Sequence, residues 1–170
     1  MQSDVRILRN WSPVMDAFVK AFIKASLVWL VLGVSSGVTM AVHPMWTVFR
    51  PAHVHMVALG FVTMMIYGVA YHVIPRFSGF PLPARRAPMV HWWMSNAGLV
   101  LLIGGVLLRA SGDPMGTPVL AVGGSFSAFG AYVFAWLIWR TIDGSAPMRA
   151  AARRAHERTS GSVSGLPLAR

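Results

Sequence analysis

The chain has no cysteine, only five acidic residues, and little charge of either sign, 12% of its 170 residues. The missing cysteine excludes disulfides, thiolate metal sites, iron–sulfur clusters and covalent c-type haem attachment, and it leaves the redox compartment unmarked. The acids are Asp4, Asp16, Asp113, Asp143 and Glu157, none deep within an apolar stretch. That weakens carboxylate-rich metal sites, proton relays built on acids, and acid–base hydrolysis. A soluble domain carries about 25% charged residues, so this inventory cannot clothe a solvated surface. No phosphate-binding glycine loop, nucleophile elbow or solenoid repeat is present.

What is present is hydrophobicity, 55% of residues, with a mean hydropathy of +0.57. A bilayer-spanning helix needs about 20 mostly apolar residues. Four runs qualify: Ala25 to Val42, Ala52 to Ile74, Met89 to Leu108 and Pro118 to Ile138. With their flanks they predict helices over 19–42, 52–74, 89–109 and 118–141. Turn formers separate them: His43-Pro44, the run Ser78 to Pro83, and Ser111-Gly112-Asp113-Pro114. Pro51, Pro88 and Pro118 suit helix starts, and Pro75 predicts a stop. The first run lacks a small-residue cleavage pattern and reads as a retained helix. The expected fold is an all-α integral membrane four-helix bundle over 1–143, with a basic, poorly ordered tail over 144–170.

The net charge of +10 is an orientation signal. Arg6, Arg9, Lys20 and Lys24 flank the first helix. Arg76, Arg85 and Arg86 lie in the second loop. Arg140, Arg149, Arg153, Arg154, Arg158 and Arg170 fall at the end. These thirteen would share one side, against only Arg50 and Arg109 on the other. Both termini are therefore expected in the cytoplasm, with anionic lipid, not nucleic acid, as the partner of the tail.

Histidine is the main ligand chemistry left. Of six, His156 lies in the tail, and five sit at or inside membrane segments, where ionisable groups are functional hypotheses by default. His43, His53 and His55 form an outer set; His72 and His91 form an inner one. His55 and His72 are about 25 Å apart along one helix, so one ion cannot use both. At about 100° per residue, His53 shares a face with Gly60, Met64, Tyr67, Gly68 and Tyr71, where glycines admit a flat group. His55 shares one with Leu59, Val62, Ile66, Val69 and Val73, a lipid-facing or packing pattern. His91 lines up with Ser95, Gly98, Leu102 and Gly105. Such small-residue stripes also serve ordinary helix packing. Neutral imidazole suits haem b, copper, zinc or iron; catalytic zinc would want a carboxylate or a third clustered His. The eleven methionines are scattered and read as membrane core. The fourth run, with Gly123, Gly124 and Gly130 but no His, reads as a packing helix suited to self-association.

The run Arg50-Pro51-Ala52-His53-Val54-His55, then Gly60, then Tyr67 to Gly79, resembles the second transmembrane helix of haem-copper oxidase catalytic subunits. It is nearest the cbb3-type oxidase and nitric oxide reductase branch, and closer still to short four-helix subunit I-like membrane proteins. The resemblance implies that His53 ligates a low-spin haem b and that Arg50 supports that end of the site. The short relatives share the His53/His55 pair and the Tyr71-His72 pair, which makes His55 and His72 candidates. The late helices that carry the second haem ligand and the three-histidine metal site of the large enzymes have no counterpart here. The chain is thus not expected to be a complete oxidase or reductase alone.

The expectation is an inner-membrane, multi-pass protein of bacterial type, binding one or two haems b as an electron-transfer module. His43 or His55 would complete the outer site beside His53, and His72 with His91 would form the inner one. A second copy of the chain could supply a ligand instead. Arg50 outside and Arg85 or Arg86 inside would pair with propionates. A respiratory electron donor or acceptor would be the partner. The alternatives are a diatomic-gas (NO or O₂) sensor or small reductase component, and a non-haem copper-handling or structural subunit.

Overall fold

The computed structural model describes residues 15–84 and 86–144. Arg85 and the tail beyond Gly144, including His156, lie outside the described residues. All regular structure among the described residues is helical, in four rods long and apolar enough to cross a membrane. We label them α1 (Ala17–Val42), α2 (Pro44–Ser78), α3 (Ala87–Ala110) and α4 (Gly116–Asp143). At 1.5 Å per residue each is at least about 36 Å long, enough for a hydrocarbon core of roughly 30 Å. The chain is a multi-pass membrane protein.

Three of the rods match the sequence expectation within two residues at each end. The second differs. It starts at Pro44, not Ala52, so the α1–α2 connection shrinks to His43. Pro44 opens a 3₁₀ turn over Pro44–Phe49, where its preset φ helps and its missing N–H costs nothing. An α-helical turn follows over Arg50–His55, then π-helix over Met56–Thr63, then α-helix over Met64–Ser78. Nor does Pro75 stop the rod. It falls in the last turn, where little helix remains to disrupt, and Gly79 ends the helix at φ 77°, a left-handed conformation that glycine adopts freely.

The tightest seam joins α3 and α4. Without a hydrophobic drive between helices in lipid, close van der Waals approach must hold them. Glycines at seven-residue intervals permit it: Gly98 and Gly105 on α3, and Gly116, Gly123 and Gly130 on α4. A Cβ on Gly105 would strike the Leu120 backbone. One on Gly123 would strike the backbone at Leu102, and one on Gly116 that at Arg109. The glycines read as a self-association signal on α4 thus serve packing within the chain at Gly123 and Gly130, while Gly124 faces open space.

The largest core cluster draws on every rod: Val19 and Phe22 of α1, Met64, Tyr67 and Tyr71 of α2, Leu99 of α3 and Leu137 of α4. Between α1 and α3, Trp29 Nε1–H donates to Asn96 Oδ1 at 3.1 Å, and Asn96 Nδ2 donates to the Trp92 carbonyl at 2.9 Å. Val31, Val38, Trp93, Tyr132 and Trp139 point outward, as a lipid-facing surface requires.

The seam makes a measurable distinction. Gly105→Ala or Gly123→Ala drives a methyl into the opposing backbone and should cost about 1–3 kcal/mol, lowering the detergent melting temperature by roughly 3–10 °C. Gly104→Ala and Gly124→Ala meet nothing within 4 Å and should melt at or slightly above the parent temperature, because alanine is the better helix former.

Candidate functional site

Helix α1 carries the sequence Gly33-Val34-Ser35-Ser36-Gly37, small residues four apart on one face. The missing Cβ atoms open a notch toward α2. A Cβ on Gly33 would lie 2.8 Å from Val57 Cγ2, and one on Gly37 would lie 2.9 Å from His53 Cε1. The imidazole of His53 fills this notch. Its Nδ1 lies 2.9 Å from the Gly33 carbonyl oxygen and 3.1 Å from Ser36 Oγ. The Ser36 hydroxyl spends its proton on the same carbonyl at 2.7 Å. A carbonyl only accepts, so the hydrogen-bond network assigns the proton of His53 to Nδ1. The lone pair is then on Nε2. An imidazole anchored through Nδ1–H to a backbone carbonyl is the arrangement of a metal-ligating histidine.

The other histidines divide by the same test. His55 Nδ1 lies 2.6 Å from the Pro51 carbonyl one turn back, so its Nε2 also carries a lone pair. That bond uses no other helix, and the side chain sits on the rim of α2. His72 is the opposite case. Its Nδ1 lies 2.7 Å from the Arg76 guanidinium, which also donates to the His72 carbonyl at 2.7 Å. Arginine only donates, so Nδ1 accepts and Nε2 bears the hydrogen. In this arrangement His72 presents no lone pair outward.

His91 is fully buried at the centre of the bundle. Its Nδ1 meets Tyr71 Oη at 2.9 Å, and its Nε2 has no partner. Phe22, Tyr67 and Phe134 wall the ring, with centroids at 5.0, 4.6 and 6.1 Å. Its expected face is the buried one: Ser95, Gly98, Leu102 and Gly105 are all buried. His43 ends α1, exposed, with its ring 6.2 Å from that of Trp46.

The structure thus brings no predicted histidine pair together. His72 turns to Arg76 and His91 to Tyr71, so the expected inner pair does not share a site. His43 makes no ring contact with His53 or His55. Among the described residues no three His, Asp or Glu side chains gather as a metal site. Arg50, where the α-helical turn of α2 begins, and Arg86, just before α3, are exposed, and Arg85 lies outside the described residues. The phase reading of α2 fits its buried face at Gly60, Met64, Tyr67, Gly68 and Tyr71. The His55 face at Val62, Ile66 and Val69 is exposed.

Sequence reasoning missed the notch that receives His53. Gly33-x-x-x-Gly37 is a small-xxx-small spacing, and that signal would have marked α1 as a close-approach face. It also missed the Tyr71–His91 bond, because Tyr71 and His91 are far apart in sequence. The π-helical segment carries no sequence signal that we recognise.

The chain is 25% identical to the Cbb3-type cytochrome c oxidase subunit CcoN1 of Stutzerimonas stutzeri, over 81% of its own length. It spans only 35% of that relative. No family model matches the chain. The resemblance seen at α2 therefore extends across most of this chain, and the long apolar helices fit it.

The tautomers can be read directly. In ¹⁵N-histidine NMR of the protein in lipid, His53 and His55 should show a protonated Nδ1 and a bare Nε2, and His72 the reverse. Arg76→Ala should release His72 to the tautomer mixture of a free imidazole. A protonated Nε2 on His53 would remove its claim as a ligand.

Proposed function

We propose that this chain is a b-type haem protein of a bacterial inner membrane, working as an electron-transfer module within or beside a respiratory chain. The observation that carries the reading is His53, anchored by Nδ1 to the Gly33 carbonyl. It stands in the stretch that resembles the haem-ligating helix of haem-copper oxidase subunit I. The similarity to a cytochrome oxidase subunit supports a redox or respiratory role. The orientation implied by loop charge puts both termini in the cytoplasm and His53 near the outer face.

The donor set fits the group. His53 would hold it through Nε2, with Gly33 and Ser36 fixing the ring angle and raising the basicity of that nitrogen. Arg50, exposed one turn before His53, would pair with a propionate. When bound, haem b would supply a one-electron couple tuned by the residues that hold and surround it. The chain contributes the orienting carbonyl and the absence of a Cβ at Gly37. The groove on the outer side of α2, about 290 Å³ among Met65, Ile66, Val69, Ala70, Val73 and Ile74, is entirely apolar and lies far from His53. It suits a lipid tail better than a cofactor.

Absorption spectroscopy of protein purified from haem-replete cells tests this. Reduced protein should show sharp α and Soret bands, with a b-type pyridine haemochrome. His53→Ala should lose most of the bound haem, and Gly37→Val, which crowds the ring, should shift or weaken the bands. His72→Ala should keep its haem. Carbon monoxide leaves a bis-histidine iron unchanged and shifts a five-coordinate one, which would move the reading toward gas binding. A colourless protein overturns it.

A further inference from the structure

The outer side of α2 carries a groove of about 290 Å³, lined by Met65, Ile66, Val69, Ala70, Val73 and Ile74. All six lining residues belong to α2, and all are apolar. Ala70 stands between Ile66 and Ile74 in one i, i+4 row, so its small side chain leaves a recess in the ridge. From Met65 to Ile74 the helix rises about 14 Å. That is close to half of a hydrocarbon core of roughly 30 Å. The groove thus has the length of one leaflet.

A cation stands at its end. Arg76 follows Val69 by seven residues and lines up with it to within about 20°. Its side chain folds back one turn, where Nη1 donates to His72 Nδ1 and to the His72 carbonyl, both at 2.7 Å. The guanidinium is therefore held beside His72, level with the last residues of the groove. Capping of the helix end accounts for the Nη1 bonds alone. Arginine has five N–H donors. Those of Nε and Nη2 make no bond among the described residues. Together they form a planar fork that matches two oxygens of a phosphate. Asp16 and Asp143, the described acids at this end of the bundle, form no ion pair with Arg76. Phe77 follows Val73 by one turn and is 85% exposed, so Arg76 and Phe77 bracket the mouth of the groove.

We propose that the fork and the groove form one site for an anionic phospholipid, with its phosphate on the Nε/Nη2 edge of Arg76 and one acyl chain lying along Met65 to Ile74. Charge selects the headgroup. A zwitterionic lipid would bring an ammonium beside the guanidinium, and no described carboxylate pairs there to receive it. A phosphodiester that carries the only charge of its headgroup neutralises Arg76 and leaves nothing unpaired. Shape selects the position, because the His72 bonds fix the fork at the level where a leaflet-long groove ends. The site uses neither His53 nor any cofactor, so it stands or falls apart from the haem reading.

Native mass spectrometry of the full chain, released from nanodiscs of equimolar phosphatidylglycerol and phosphatidylcholine with the same acyl chains, tests the site. The first lipid retained should be phosphatidylglycerol, preferred by about tenfold, as one charge-assisted pair predicts. Arg76→Gln should bring that preference to within about twofold. Ala70→Phe fills the recess, leaves every charge in place, and should cut phosphatidylglycerol retention by a similar factor. Lys20→Gln removes an exposed charge at the same end of the bundle and should leave retention unchanged. Equal retention of the two lipids by the parent protein overturns the proposal without recourse to any variant. So does a preference that survives Arg76→Gln, or retention that survives Ala70→Phe. A loss in Lys20→Gln as large as that in Arg76→Gln also overturns it, since diffuse attraction to a basic surface would then be the cause.

Discussion

Lipid tails neither donate nor accept a hydrogen bond, so a polar atom within the hydrocarbon must find its partner inside the chain. Most of the side-chain bonding here follows from that constraint. Ser26, Ser36, Thr39, Ser125, Ser127 and Thr141 all return their hydroxyl protons to carbonyls of their own helix. Trp29 crosses to Asn96 for the same reason. His53, which cannot reach its own backbone in this pose, crosses to the carbonyl of Gly33. The bond that fixes its tautomer is the means by which a polar ring is tolerated at this position. On the proposed reading, what would equip His53 as a ligand and what lets it enter the membrane are one interaction.

The constraint also decides where helices touch. With no hydrophobic gain between apolar rods in lipid, backbone contact has to supply the attraction, and glycine permits it. On the α3–α4 seam Gly105, Gly116 and Gly123 meet backbone, while Gly130 meets the side chains of Ser95 and His91. The α1–α2 contact fills its recesses with side chains, Val57 at Gly33 and the His53 ring at Gly37. Gly60 repeats the device further along, where a Cβ would lie 2.6 Å from the Trp29 side chain. It falls within the π-helical stretch, whose looser i→i+5 bonding resets the side chains on either side of it. Such segments cluster at functional sites, and this one begins directly after His55.

The fold was legible because its cause is compositional. Runs of apolar residues bounded by proline, glycine and charge located three rods within two residues of their ends. The second rod was misread at both ends because Pro44 and Pro75 were taken as interruptions: proline fits the first turn of a helix, where its missing N–H costs nothing, and at Pro75 the helix runs on only one short turn, to Ser78, before Gly79 ends it. The site was legible one helix at a time. Phase marked the buried stripe of α2 and the small face around His91. It could not say which stripe met which, so His72 and His91 were paired by depth when Tyr71 and Arg76 are their partners. Pairing between helices depends on rotation and crossing angle, and those are set by glycine contacts that only the assembled bundle reveals.

The chemistry of α2 is divided along its length. His53 stands before the π-helical segment and Tyr71 lies after it, about 27 Å away by helical rise. The first side chain bonds across to α1 and on that tautomer leaves Nε2 bare; the second is bonded to His91 in the core. On the proposed reading an electron would reside near one surface of the membrane. A buried electron raises the local affinity for positive charge, and in a medium of low dielectric constant that pull extends further than it would in water. Among the described residues no acidic side chain lies inside the rods to answer it, since Asp16, Asp113 and Asp143 all lie at helix ends. The scarcity of acids that first pointed away from proton chemistry thus also leaves the apolar interior without a carboxylate that could take up a proton beside such a charge.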